Sequence, residues 1–299
     1  MKILLTGGFG YIGQTFFKKF NNFKYVIFSR TKSSNLEIPF DGISEHGNVE
    51  EDAILDIIKK HKPDVVIHLA ALSGLKKCEL NPSQAFLTNV LGTMNVAKAC
   101  ASERTRLIFL SSREIYGETL NDESSEDDLP SPVNIYGLTK SLSENIIKFF
   151  AKTNDLNYII LRLTNVYGFG GERRGVNRII DTALTENTIQ INGNGNQTLN
   201  FIHVNDVVDI IKQFIDTPSI SNETFNVGTD ETLTLNQFCD LVSKFLPQKI
   251  TKEYFPKISY ENQFFNPNIE KLKKTIKFNP KFNLENGLKQ TIEFYSQKI

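Results

Sequence analysis

The 299-residue sequence contains few cysteines and no tryptophan. Its three cysteines, Cys78, Cys100 and Cys239, are widely spaced. A disulfide framework or a zinc site needs cysteines in denser and more regular patterns, so we expect neither. The sequence therefore predicts a cytoplasmic protein in a reducing compartment, without a metal site.

An excess of charge and long apolar runs are also absent. Because 34 Lys and Arg balance 34 Asp and Glu, no overall field would attract nucleic acid or an anionic membrane. No stretch approaches the roughly 20 apolar residues that span a bilayer, and the N-terminus lacks a basic leader followed by an apolar core. We expect neither nucleic acid nor a membrane as partner.

Short apolar runs alternate along the chain with amphipathic stretches of helical length. The candidate strands are residues 3–6, 25–29, 65–69, 107–111 and 158–163. This alternation predicts an α/β fold, with helices on both faces of a doubly wound parallel sheet of the Rossmann type.

The sequence pattern changes after about Val166, where glycine-rich loops and short elements replace the regular alternation of strands and helices. We therefore predict two units. The first is a Rossmann domain of residues 1–165, to which residues 200–230 return. The second is a smaller C-terminal substrate-binding lobe of residues 166–199 and 231–299.

Three glycines lie between the first predicted strand and the helix that follows it. Their spacing allows a tight turn, brings backbone N–H groups against a pyrophosphate and points a helix N-terminus at its charge. The first domain is therefore predicted to bind a nicotinamide dinucleotide. The predicted contacts are Gly7, Gly10, Tyr11, Ile12 and Gly13.

The end of the second predicted strand carries Ser29 and Arg30, with Lys32 beyond them. An NAD site usually has an acidic residue here, which would repel a 2′-phosphate. A hydroxyl and a guanidinium would instead bind that phosphate through charge-assisted hydrogen bonds. The sequence favours NADP(H) and leaves NAD(H) open, the alternative being that these are only solvated loop charges.

Tyr136 and Lys140 are four residues apart at the start of a predicted helix, so both side chains lie on one face of it. A nearby ammonium favours the phenolate, which would let Tyr136 exchange a proton with a substrate hydroxyl. Ser111 and Ser112 end a predicted strand, at the sheet edge where open α/β folds bind ligands. A serine hydroxyl there would bind the same oxygen.

These motifs occur with others along nearly the whole chain. The full set is Thr6-Gly7-Gly8-Phe9-Gly10-Tyr11-Ile12-Gly13, His68-Leu69-Ala70-Ala71, Asn89-Val90-Leu91-Gly92-Thr93, Ser111-Ser112 with Tyr116-Gly117, Tyr136-Gly137-Leu138-Thr139-Lys140, Asn165-Val166-Tyr167-Gly168, Phe201-Ile202-His203-Val204-Asn205-Asp206-Val207 and Phe225-Asn226-Val227-Gly228. In this order they resemble the extended short-chain dehydrogenase/reductase family, in its nucleotide-sugar epimerase/dehydratase branch.

The resemblance implies roles for residues at matching positions. Ser112, Tyr136 and Lys140 would be catalytic, and Asn165 would face the substrate diphosphate. The implied cofactor contacts are Asn48 and Val49 beside the adenine, then Leu69, Ala70, Ala71, Asn89, Tyr136 and Lys140. Family members commonly pair through the helices that correspond to residues 87–99 and 136–151, so a homodimer is implied.

One departure from the family pattern follows the strand-end serine. Dehydratases of this branch carry Asp-Glu there as acid and base, whereas this chain has Arg113 and Glu114. Glu114 remains a candidate acid or base, but an arginine cannot donate a proton at neutral pH. Dehydration is therefore disfavoured.

A second departure concerns the substrate diphosphate. The family's Arg-Asp before the late Phe-Ile-His-Val run is replaced by Leu199-Asn200, and no arginine occurs after Arg178. We expect Arg173 or Arg174 to bind the diphosphate. The alternatives are that Arg178 or lysines bind it, or that it is not bound and these arginines are only charges of a loop.

Three functions remain open from the sequence. The leading hypothesis is an NADPH-dependent reductase of a 4-keto nucleotide sugar. The second is a nucleotide-sugar 4-epimerase that keeps NAD tightly bound, because the same three catalytic residues serve both reactions. The third, a non-catalytic dinucleotide-binding sensor, would have no need of these residues.

Overall fold

A computed structural model describes residues 1–31, 40–118, 123–171 and 175–297. Its strands are β1 (Lys2–Thr6), β2 (Lys24–Ser29), β3 (Ile43–His46), β4 (Val65–His68), β5 (Arg106–Ser112), β6 (Tyr158–Leu163), β7 (Asn165–Tyr167), β8 (Thr188–Asn192), β9 (Thr198–His203), β10 (Glu223–Val227), β11 (Thr232–Thr234) and β12 (Thr251–Phe255).

The helices alternate with these strands. They are α1 (Tyr11–Lys19), α2 (Ala53–His61), α3 (Leu75–Leu80), α4 (Pro82–Ala85), α5 (Gly92–Ser102), α6 (Ile135–Asn154), α7 (Asn177–Glu186), α8 (Val204–Asp216), α9 (Leu235–Lys244), α10 (Glu270–Ile276) and α11 (Leu284–Ser296). A π-helical segment, Phe86–Leu91, precedes α5, and a short 3₁₀ helix, Arg113–Ile115, follows β5.

The main sheet has seven parallel strands in the order β10-β6-β5-β4-β1-β2-β3. Alternate residues of β1 point to opposite faces: Ile3 and Leu5 pack in one apolar core and Leu4 in the other. A parallel sheet covered on both faces buries nearly every strand residue, which explains the continuous apolar runs of the sequence. The predicted doubly wound Rossmann-type fold is confirmed.

Two smaller sheets lie outside the main one. One has the order β11-β9-β7, and the other pairs β12 with β8. With α7, α9 and α11 they enclose a separate apolar core, in which Phe201 stacks on Phe238 with ring centroids 4.4 Å apart. Within residues 200–230, β10 is an edge strand of the main sheet, whereas β9 belongs to a small sheet. The division into two functional domains stays a prediction.

The order of the strands determines where a ligand can bind. The chain leaves β1 towards β2 on one side and returns to β4 on the other, and open α/β sheets bind ligands at such a reversal, beyond the carboxyl ends of the strands. Those ends carry the glycine turn after β1, Leu69 to Ala71 after β4 and Ser112 at the end of β5. Across the described ranges, no helix has the length and apolar character needed to cross a membrane.

Candidate active site

The turn between β1 and α1 fits a dinucleotide pyrophosphate. Gly7 has a φ of +64°, and a Cβ there would lie 2.8 Å from the Cα of Ala70. A Cβ at Gly13 would lie 2.3 Å from a carbonyl oxygen of the same turn. Gly10 caps α1 without a side chain, and the first turn of α1 has no acidic residue, so nothing there competes with an anion for the first amides. The predicted contacts Tyr11 and Ile12 begin α1.

The end of β2 presents the predicted ribose contacts. Ser29 is buried, and its Oγ accepts a hydrogen bond of 3.1 Å from the N–H of Thr31. The next residue, Arg30, is exposed. Residues 24–31 contain no acidic side chain, so none of them would repel a 2′-phosphate. Lys32 lies outside the described residues.

The segment after β4 lies beside the glycine turn. The N–H of Leu69 donates to the carbonyl of Thr6, and the N–H of Ala70 donates to the Thr6 hydroxyl. The buried His68 ring bridges the hydroxyls of Thr6 and Thr93 at 2.6 and 3.0 Å, and burial lowers its pKa to about 3. A neutral imidazole held in this way is structural. The predicted contact Ala71 is half-buried.

Asn89 uses its amide to join two parts of the site. Its Oδ1 accepts from the N–H of Leu72 at 2.7 Å, and its Nδ2 donates to the carbonyl of Leu72 and to the Thr139 hydroxyl. The side chain predicted to line the cofactor thus fastens the loop after β4 to α6.

The two predicted adenine neighbours differ in exposure. The amide of Asn48 donates a hydrogen bond to Glu51, and Asn48 is half-buried, whereas Val49 is buried.

The structure brings Ser112, Tyr136 and Lys140 together. Ser112 ends β5, and the other two occupy the first turns of α6, whose start is capped by Asn134 through a 2.7 Å bond from the N–H of Gly137. The Ser112 side chain lies close enough to the Tyr136 hydroxyl to lower its pKa. The Lys140 Nζ lies 5.9 Å from the centroid of the Tyr136 ring and donates to the Leu110 carbonyl at 2.7 Å.

Burial dominates the ionisation of the Tyr136 and Lys140 pair. It raises the pKa of Tyr136, and the charge of Glu114 raises it further, while the nearby Ser112 side chain acts in the opposite direction. Burial lowers the pKa of Lys140 to about 8, against the opposing charge of Glu144. A positive charge beside Tyr136, which a bound oxidised nicotinamide would add, favours its phenolate.

Glu114, the candidate acid or base, is held by three side chains. Its Oε2 accepts from the amides of Asn134 and Asn262 at 2.9 and 3.1 Å, and its Oε1 lies 3.0 Å from Nη2 of Arg113. Asn262 comes from the segment between β12 and α10, so the carboxylate lies where that segment meets the main sheet. Its effect on the pKa of Tyr136 places it within electrostatic reach of the catalytic group.

A buried network behind Lys140 was not anticipated from the sequence. Glu144 accepts from the Ser111 hydroxyl at 2.6 Å and pairs with the Arg162 guanidinium at 2.8 Å. Arg162 also donates to the Tyr116 hydroxyl, which donates to Asn226. A glutamate one turn after Lys140 was the available signal, but a charge inside an amphipathic helix is usually solvated. Only the approach of β6 identifies its partner.

The predicted diphosphate contacts are only partly placed. Asn165 begins β7, is half-buried, and donates to the carbonyl of Asn200 at 2.9 Å. Leu199 packs in the core of the smaller sheets. Arg173 and Arg174 lie outside the described residues. Arg178 is exposed on α7. Among the described residues, no group of three or more His, Cys, Asp or Glu could hold a metal ion.

The fold and these side chains define a class of protein, the Rossmann-fold oxidoreductases that place Ser, Tyr and Lys at the carboxyl edge of the sheet. The chain belongs to the NAD dependent epimerase/dehydratase family, which it matches over residues 3–228. Its relatives are extended short-chain dehydrogenase/reductase enzymes of nucleotide sugars, so the resemblance drawn from the motifs is confirmed.

Three relatives illustrate this family. The UDP-glucose 4-epimerase of Mycoplasma genitalium is 28% identical, with 98% of this chain and 96% of that protein covered. The crystal structure of a UDP-glucose 4-epimerase from Thermotoga maritima with UDP-glucose has a TM-score of 0.92 at 27% identity, covering 100% and 99% of the two chains. MoeE5 in complex with UDP-glucuronic acid and NAD has a TM-score of 0.90 at 25% identity, with both chains covered completely.

The lowered pKa of Lys140 predicts a pH dependence of stability. Between pH 8 and the ordinary value of 10.5, the unfolded chain retains a proton on Lys140 that the folded chain has lost. The free energy of unfolding should therefore rise with pH in this window, by up to about 1.4 kcal/mol per unit. Urea denaturation of the cofactor-free protein at about pH 8.5 and 9.5 measures this rise, relative to Lys140→Met.

The control is Lys18→Met, which removes an exposed lysine of α1 whose environment is ordinary solvent. This variant should keep the pH dependence of the wild type, whereas Lys140→Met should lose the part of the rise in unfolding free energy that is due to Lys140. Equal pH dependence in all three proteins would contradict the assignment of a lowered pKa to Lys140.

Proposed function

We propose that Ser112, Tyr136 and Lys140 catalyse oxidation and reduction at a sugar carbon of a nucleotide sugar. The main observation behind this proposal is that the Ser112 and Lys140 side chains both lie beside Tyr136. When bound, the nicotinamide supplies or accepts the hydride. Tyr136 then passes a proton to or from the sugar oxygen, and Ser112 hydrogen-bonds that oxygen. Lys140 favours the Tyr136 phenolate and lies where it can hold the cofactor ribose.

The reaction we propose is 4-epimerisation of a nucleoside diphosphate sugar with NAD kept in the site. Two of the three relatives described above are named UDP-glucose 4-epimerases, and the third was solved with NAD. Epimerisation needs one proton carrier that works in both directions, which the Tyr136 hydroxyl provides. It needs no acid at position 113, where Arg113 stands in this chain.

A second candidate is an NADPH-dependent reductase of a 4-keto nucleotide sugar. The observation that favours it is the end of β2, where Ser29 and the exposed Arg30 replace the carboxylate of an NAD site. Net reduction consumes a reduced cofactor at each turnover, so this candidate must release and rebind it. The proposed catalytic residues are the same, and the fate of the cofactor separates the two reactions.

Replacing Tyr136 by Phe tests the catalytic proposal. The variant keeps the ring but loses the hydroxyl that carries the proton, so kcat should fall by about 10²- to 10⁴-fold while the affinity for cofactor is retained. The assay is interconversion of UDP-glucose and UDP-galactose, or reduction of a 4-keto nucleotide sugar. Tyr254→Phe, at an exposed tyrosine of β12, is the matched control and should keep wild-type activity. Unaltered activity of Tyr136→Phe would contradict the catalytic role of Tyr136, whereas a wild type without any turnover would favour the non-catalytic sensor.

The state of the cofactor after purification separates the two reactions. An epimerase should release NAD on denaturation, in near-stoichiometric amount, and Arg30→Ala should not change this. A reductase should purify without cofactor and prefer NADPH to NADH in calorimetric titration. Arg30→Ala should then weaken NADPH binding by about tenfold or more, the loss of a charge-assisted hydrogen bond. Lys24→Ala, at the opposite end of β2, controls for loss of one positive charge.

We also propose that two copies of the chain pair through the helices that flank the site. Helices α5 and α6 pack together, and this region exposes Leu87, Met94, Leu138 and Phe149, the last at 60%. Burial of such a face is a usual reason for pairing. Sedimentation equilibrium should show a dimer for the wild type and a monomer for Phe149→Glu, whereas Phe255→Glu on β12 should stay dimeric. A monomeric wild type would overturn the proposal.

A further inference from the structure

The Arg113 side chain is buried beside the catalytic group. Arg113 directly follows Ser112 in the chain and is only 8% exposed. Its guanidinium stacks over the Phe265 ring, with the central carbon 5.3 Å from the ring centroid, and its Nη2 lies 3.0 Å from Glu114. Ring stacking and an ion pair hold the planar guanidinium in one orientation, so it is preorganised to bind a further acceptor.

One end of this guanidinium has no partner. The Nη1 atom is buried and has no hydrogen-bond acceptor among the described residues. A buried donor left in this way destabilises the folded protein, and a bound acceptor would remove that cost. The Glu114 carboxylate occupies only Nη2 of the guanidinium, since Asn134 and Asn262 also donate hydrogen bonds to it.

Two other buried arginines bind partners within the protein. Arg106 donates to the carbonyls of Phe214 and Ile220, and Arg162 pairs with Glu144. The sequence has no arginine after Arg178. Nε of Arg106 is also buried without a partner, but Arg106 begins β5, whereas Arg113 directly follows the carboxyl end of that strand. Arg113 is therefore the one of these arginines that lies, with a spare donor, at the carboxyl edge where the proposed substrate binds.

Among the described residues, the acidic groups that face Arg113 are Glu114 and Glu261. Glu114 is already paired, as described above. Glu261 accepts a hydrogen bond of 3.4 Å from the amide of Asn192. Both carboxylates thus have other partners, and Nη1 of Arg113 stays available to one more anionic oxygen.

We propose that Arg113 is a specificity-determining residue whose Nη1 donates to an anionic oxygen of the substrate. That oxygen belongs to a carboxylate on the sugar or to the diphosphate. Because Arg113 adjoins Ser112, which contacts the reacting oxygen in the proposed function, the sugar carboxylate is the source that we expect. The inference rests on the proposed function for the identity of the substrate as a nucleotide sugar.

Binding can be measured apart from turnover in a Tyr136→Phe background. Calorimetry with UDP-glucuronic acid, UDP-glucose and UDP compares a sugar carboxylate, a neutral sugar and the diphosphate alone. Arg113→Gln should weaken binding of UDP-glucuronic acid by about 10- to 100-fold, the loss of a hydrogen bond between charged groups, and leave UDP-glucose and UDP unchanged. Equal weakening of all three would identify the diphosphate as the anion bound by Arg113.

Two further variants separate recognition from a structural role. Arg113→Lys keeps the positive charge and should recover part of the lost affinity. Glu114→Gln breaks the same ion pair but leaves the guanidinium, so affinity for UDP-glucuronic acid should hold or increase. If Arg113→Gln and Glu114→Gln lose binding alike, the pair is structural and the inference is wrong.

The same titrations distinguish failure of this inference from failure of the proposed function. If the Tyr136→Phe parent binds the three probes and Arg113→Gln binds them equally well, only the role of Arg113 is wrong. If the parent binds none of them, both the nucleotide-sugar substrate and the anion site at Arg113 are wrong.

Discussion

The buried ion pair between Glu144 and Arg162 is the interaction on which the geometry of this site depends. Arg162 lies on β6 and Glu144 on α6, and Ser111 at the end of β5 bonds the same carboxylate. The pair therefore fixes α6 against the carboxyl ends of two strands. Tyr136 and Lys140 lie on the helix so fixed. Removing one partner of a buried pair costs about 3–5 kcal/mol, so a helix held in this way resists displacement.

The same arrangement explains the electrostatics of the catalytic group. Lys140 is 4% exposed, and burial alone would favour its neutral form. The negative charge of Glu144, one helical turn further on, counteracts this loss of solvation. Glu144 thus has two roles. It anchors the helix through Arg162, and it stabilises the charged form of Lys140, which acts on Tyr136. This dual use accounts for a carboxylate in the interior of a helix that otherwise packs against the sheet.

Much of the fold followed from patterns that are local in the chain. Alternating apolar runs and amphipathic stretches predicted the parallel sheet, and the spacing of Gly7, Gly10 and Gly13 between a strand and a helix predicted the pyrophosphate turn. Asn89 shows where such reasoning stops. Its position in a motif predicted a cofactor contact, which stays a prediction, but did not predict that its amide bonds Leu72 and Thr139. Which of two nearby groups an amide bonds depends on distances between segments far apart in the chain.

The sequence by itself determined the fold class, the family, the glycine turn and the Tyr136 and Lys140 pair, because each follows from short local motifs or from their order along the chain. Tertiary structure decided the surroundings of Arg113 and Glu114, where Asn134, Asn262 and Phe265 arrive from different segments. It likewise decided the partner of Glu144. Burial and pairing of a charge are properties of a three-dimensional neighbourhood, and residues more than a hundred positions apart in the chain compose this one.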